Sequence, residues 1–96
     1  MRIVLDGAAI RSESDLHDAL QGLLELGPHY GRNLNALWDV LSTDAPRPLT
    51  IRWTNARLSR AALGAHFERI VELLAQVSEA DGGLPSGARF ALILEE

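Results

Sequence analysis

Three short apolar runs constrain this chain more than anything else in it: residues 2–5 (Arg-Ile-Val-Leu), 49–53 (Leu-Thr-Ile-Arg-Trp) and 89–94 (Arg-Phe-Ala-Leu-Ile-Leu). Turn residues bound them, at Asp6-Gly7, at Arg47-Pro48 and in the Gly-Gly-Leu-Pro-Ser-Gly loop of residues 82–87, so each run reads as a strand. Their continuous rather than strictly alternating character is that of parallel strands covered on both faces. The stretches between them are long and helical in period, as parallel strands joined by right-handed crossovers require. A chain of 96 residues has room for one such domain, spanning 1–96. The predicted fold is therefore α/β: a small two-layer domain with a three-stranded parallel sheet and three to four helices.

The helices can be sketched from caps and stripes. Ser12 followed by Asp15, or Ser14 alone, caps a helix with the stripe Leu16, Leu20, Leu23 and Leu24, stopped by Gly27-Pro28. Asn33 caps a second that buries Leu34, Leu37, Trp38 and Leu41, after which residues 42–48 read as loop. From Trp53 a helical pattern runs to Ala80 with Leu63, Phe67, Ile70, Leu74 and Val77 inside. Gly64 either divides it into a short and a longer helix or kinks a single one.

Composition excludes several chemistries. The chain has no cysteine, which removes disulfide scaffolds, thiol chemistry and cysteine-based zinc sites. All nine basic residues are arginine, which removes Schiff-base and P-loop lysine chemistry. The net charge of −4 argues against nucleic acid as a partner. No apolar run is long enough for a signal peptide or membrane span, so cytoplasmic residence and no membrane association are expected. The charge is also localised. Residues 14–46 hold Asp15, Asp18, Glu25, Asp39 and Asp44 against Arg32 alone, while acids and arginines balance elsewhere. A local acidic field suits a basic partner.

Catalytic and metal patterns are missing from the sequence. His17, His29 and His66 lack metal-ligand spacing, the glycines form no dinucleotide fingerprint, and no nucleophile stands beside a base. Neither enzymatic activity nor a cofactor or metal is expected. The stretch 29–44, His-Tyr-Gly-Arg-Asn-Leu-Asn-Ala-Leu-Trp-Asp-Val-Leu-Ser-Thr-Asp, is different. On a helix capped by Asn33, positions 35, 39 and 42 share one face opposite Leu34, Leu37 and Leu41. That outward face carries Asn35, Asp39 and Ser42 with Trp38 at its border. An acid ringed by hydrogen-bonding and aromatic side chains is a protein-binding pattern.

The same stretch carries a resemblance. Ile10-Arg11-Ser12, Asp15-Leu16-His17, and above all Tyr30-Gly31-x-Asn33-Leu34-x-Ala36-Leu37-Trp38-Asp39 resemble the barstar-like family, intracellular inhibitors of barnase-type bacterial ribonucleases. Pro48-Leu49 and Trp53 continue it, and beyond Ser59 the likeness is one of pattern. The resemblance implies a non-enzymatic inhibitor or immunity protein whose second helix and preceding loop plug the active site of a basic extracellular or toxin ribonuclease. It implies that Asp39 takes the place of a substrate phosphate among the enzyme's cationic side chains. Gly31, Asn33 and Leu34 would be loop and helix-start contacts, Trp38 a packing contact at the rim, and Ser42 a polar contact. Tyr30 is read as structural, closing the loop onto the core. The free protein is expected to be a monomer.

Four further positions of the implied contact face depart from the family: His29 stands for an aromatic, Asn35 for an acid, Asp44 for a tryptophan, and Gln76 for an acid on the last helix, with Glu72 and Glu79 one turn to either side. Loss of the acid at position 35 removes a charge-assisted hydrogen bond, generally worth about 1.5–3 kcal/mol. These departures favour a related basic ribonuclease over barnase itself. They also motivate an alternative, an interaction module whose partner is not a nuclease.

Overall fold

The computed structural model describes the backbone of residues 1–96 and every side chain except that of Ser86. Strand β1 (Arg2–Asp6) pairs in parallel with β2 (Leu49–Thr54), which pairs in parallel with β3 (Phe90–Leu94). Ile3, Ile51 and Leu92 stand in one register row, and Leu5, Trp53 and Leu94 in another. Between the strands lie α1 (Glu13–Leu23), α2 (Leu34–Asp39), α3 (Ala56–Leu63) and α4 (Ala65–Ala80). A wide π turn, Val40–Asp44, prolongs α2, and a 3-10 turn, Ser86–Ala88, precedes β3.

The sheet is covered on one face only, against the expectation from its apolar runs. Ile3, Leu5, Leu49, Ile51, Trp53 and Phe90 are buried, whereas Val4 is 52% and Ile93 46% exposed. The strand order β1-β2-β3 never reverses. Crossovers of one hand then put every helix on the same side. The second face is left to solvent, and the domain has two layers.

The cap that starts α1 is Ser12, whose hydroxyl accepts from the Asp15 N–H at 3.1 Å. Leu16 and Leu20 enter the core and Leu24 packs at its margin. Leu23 does not: it is exposed, because the helix ends there and Glu25 turns left-handed at φ 51°. Gly64, at φ 58° and ψ −130°, separates α3 from α4. Phe67, Ile70, Leu74 and Val77 of α4 close the core over the sheet. Each large side chain so buried contributes about 1.5–3 kcal/mol.

Two polar networks tie the layers together. The buried Trp53 Nε1–H donates to Ser59 Oγ at 3.1 Å, and Ser59 donates to the Gly7 carbonyl at 3.0 Å. Gly7 must be glycine, since a Cβ there would overlap the Asn55 carbonyl. At the other end, Arg47 donates to the Leu41 carbonyl at 2.5 Å and to Asp81 Oδ2 at 2.7 Å. Phe90 N–H donates to the same oxygen at 2.7 Å. Burial works against the Asp81 charge, but the Phe90 N–H and the Arg47 guanidinium outweigh it and hold the carboxyl below its ordinary value. This cluster fastens the π turn to the end of α4 and the start of β3.

Candidate functional site

The loop before α2 is shaped by polar side chains of α1. Arg32 sits in the left-handed region at φ 55°, and its guanidinium reaches Gln21 Oε1 and Asp18 Oδ1, both at 2.7 Å, and Ser14 Oγ at 3.3 Å. Gln21 also donates to the Gly27 carbonyl at 2.6 Å. Ser14, Asp18 and Gln21 recur at helical spacing, so one stripe of α1 holds both ends of the loop. Tyr30 is buried, and its hydroxyl meets His17 Nδ1 at 2.7 Å. His17 Nε2 meets Glu13 Oε2 at 3.2 Å. The Glu13 carboxylate only accepts, so Nε2 carries the proton, and in the neutral imidazole Nδ1 then accepts from the tyrosine. Burial pushes the Tyr30 phenol up to about 12.

Asn33 begins α2, with its side chain accepting from the Ala36 N–H at 2.8 Å and donating to the Gly31 carbonyl at 3.3 Å. Leu37 and Leu41 anchor the inner side. Leu34 is half-buried, and Trp38 is 36% exposed, so the predicted burial of Trp38 is incorrect. Its ring instead joins Leu34, Asn35, Arg69, Glu72, Leu73 and Gln76 around a groove of about 320 Å³ between α2 and α4. Gln76, distant in sequence, is thereby brought beside Asn35 and Trp38. His29, Gly31, Asn33 and Asp39 are all exposed.

The π turn changes the geometry of the second half. Ala45 N–H donates to the Val40 carbonyl five residues back at 2.8 Å, and Thr43 Oγ1 donates to the Asp39 carbonyl at 2.6 Å. Residues 42–44, read from the sequence as loop, are therefore helical. Such a turn bonds backbone groups five residues apart instead of four, so ideal α spacing no longer sets which of Ser42 and Asp44 shares the face of Asn35 and Asp39. Both are exposed. Asp39 and Asp44 stand at the negative end of the helix, where acids are disfavoured, and neither makes an ion pair among the described residues.

Sequence reasoning missed Ser14, Gln21 and Arg32 as the residues that set the loop, although the polar stripe Ser14, Asp18 and Gln21 on α1 was a usable signal. It also missed Arg69 and Leu73, which only the packing of α4 on α2 brings to the groove.

Fold and surface together define a class: a small parallel α/β domain that exposes Trp38, Asp39 and Asp44 beside a groove between α2 and α4. Comparison with known families makes this particular. The chain belongs to the barstar family, whose model, described as "Barstar (barnase inhibitor)", matches residues 1–94. It is 35% identical over 78 residues to a Bacillus subtilis (strain 168) protein named "Putative ribonuclease inhibitor YrdF", covering 81% of this chain and 86% of that protein. No helix of the described residues is long and apolar enough to cross a membrane.

Proposed function

We propose that this chain inhibits a barnase-like or related toxin ribonuclease by seating α2 and the loop before it in the enzyme's active site. Asp39 occupies the place of a substrate phosphate. One observation carries this reading: Asp39 is an exposed carboxylate with no ion-pair partner among the described residues, fixed on a helix whose leading loop is locked to α1. A ribonuclease active site presents cationic donors to phosphate, and a carboxylate offers two acceptor oxygens to the same donors. The locked loop reduces the entropy lost on docking. A cationic site also relieves the repulsion between Asp39 and the helix end. Gly31, Asn33, Leu34, Trp38, Asp44 and Gln76 complete the contact face, with His29, Asn35 and Ser42 as its polar margin. In this reading the protein is a monomeric, cytoplasmic immunity protein of a bacterium that secretes the ribonuclease.

The test is inhibition of RNA cleavage by a panel of barnase-type ribonucleases, with wild type compared to Asp39→Ala. Truncating one partner of a buried charge pair costs about 2–5 kcal/mol or more, a range to which the barnase–barstar pair itself contributes. Inhibition unchanged by Asp39→Ala overturns the assignment.

A further inference from the structure

The groove between α2 and α4 contains a cation that the acidic face beside it does not call for. Arg69 is exposed and makes no ion pair among the described residues. Glu72 lies one turn further along α4 and lines the same groove, yet does not engage it. A guanidinium is purely a donor, as is the indole N–H of Trp38, while the amides of Asn35 and Gln76 are neutral and both donate and accept.

Position makes this consequential. Asn35 lies one helical turn before Asp39, so a partner seated on Asp39 also covers the groove. A guanidinium covered without a counter-charge is an uncompensated buried charge and strongly opposes binding. We propose that the groove takes a carboxylate side chain of the partner ribonuclease, bound by Arg69 with its stem against Trp38. The inference rests on the inhibitor reading and extends it. The enzyme's contact surface is then mixed, cationic where it meets Asp39 and acidic where it meets Arg69. Glu72 repels such a carboxylate and confines it to the Arg69 end.

The experiment measures inhibition by wild type, Arg69→Ala, Arg69→Glu, Glu72→Gln and Asp39→Ala against the same ribonuclease panel, barnase included. The enzyme that wild type inhibits most tightly is followed. Arg69→Ala is expected to weaken inhibition about tenfold and Arg69→Glu about a hundredfold or more, the scale of a charge-assisted hydrogen bond lost and then reversed. Glu72→Gln, which removes the repelling charge, is expected to tighten inhibition. Arg69 variants that inhibit as well as wild type or better, with Asp39→Ala impaired, overturn the carboxylate while the inhibitor reading stands. Weaker inhibition by Glu72→Gln together with tighter inhibition by Arg69→Ala means a base occupies the groove, and has the same effect. Full inhibition by Asp39→Ala, or a panel without one inhibited enzyme, overturns the inhibitor reading itself.

Discussion

Tyr30 shows how one side chain couples the core to the loop before α2. Its hydroxyl supplies the donor that buried His17 Nδ1 needs, so Tyr30→Phe leaves that nitrogen unpaired and is expected to cost about 1–3 kcal/mol in urea unfolding at neutral pH. The pH dependence has a defined sign. The folded phenol titrates at about 12 against an ordinary 10.0, so the folded state favours the neutral form. That stabilisation is complete below 10.0 and disappears as pH rises toward 12. Tyr30 is the single tyrosine of the chain, so tyrosinate absorbance reports it alone. Its midpoint should fall to the ordinary value in urea, and Tyr30→Phe should flatten the alkaline limb of stability. The role of Tyr30 as a loop closure is legible in the sequence. Its partner is not, because His17 lies thirteen positions away and helical periodicity says nothing about which loop crosses a helix face.

At the scale of elements, the open face of the sheet sorts mutations that strand composition would treat alike. Val4 and Ile51 both belong to apolar runs, but Val4 is 52% exposed and Ile51 fully buried. Val4→Thr is expected to change unfolding free energy by no more than about 0.5 kcal/mol. Ile51→Ala is expected to cost about 2–5 kcal/mol. Equal costs in urea unfolding would mean the second face is covered in solution. Strand positions and the helix cap at Asn33 are written locally, in turn residues and periods, and could be read directly; the same signals leave open Ser12 or Ser14 as the cap of α1 and a break or a kink at Gly64, which the structure decides as Ser12 and a break. The bare face is masked in β1 and β3, where Val4 and Ile93 are apolar yet exposed, although the alternation Leu49-Thr50-Ile51-Arg52-Trp53, read as a continuous run, was a usable signal of it. The π turn was hidden. Leu34, Leu37 and Leu41 carry ordinary α spacing, and the wide turn is held by Arg47 on the Leu41 carbonyl and by the Asp81 pair beyond it.

For the molecule as a whole, the proposed inhibition draws on the summed field of the acidic segment, whose charges the structure partly pairs off. Arg32, the lone cation of residues 14–46, pairs with Asp18 at 2.7 Å and is thereby committed to the loop. Glu25, Asp39 and Asp44 are left exposed and without ion pairs among the described residues. The longest dimension of the domain is 34 Å. The Debye length is about 30 Å at about 0.01 M salt, so the acids act together on an approaching cationic partner, but only about 3 Å at about 1 M, where each is isolated. Stopped-flow association with the inhibited ribonuclease should therefore slow by about tenfold or more across that range. Dissociation should change far less. Neutralising Glu25 and Asp44 together, as Gln and Asn, should lower the association rate at low salt and lose its effect at high salt. Asp39→Ala should raise the dissociation rate at every salt concentration, because a carboxylate desolvated in the complex is little screened. An association rate independent of salt would mean that the localised charge steers nothing, and that the contact face works through Asp39 and its neighbours at short range alone.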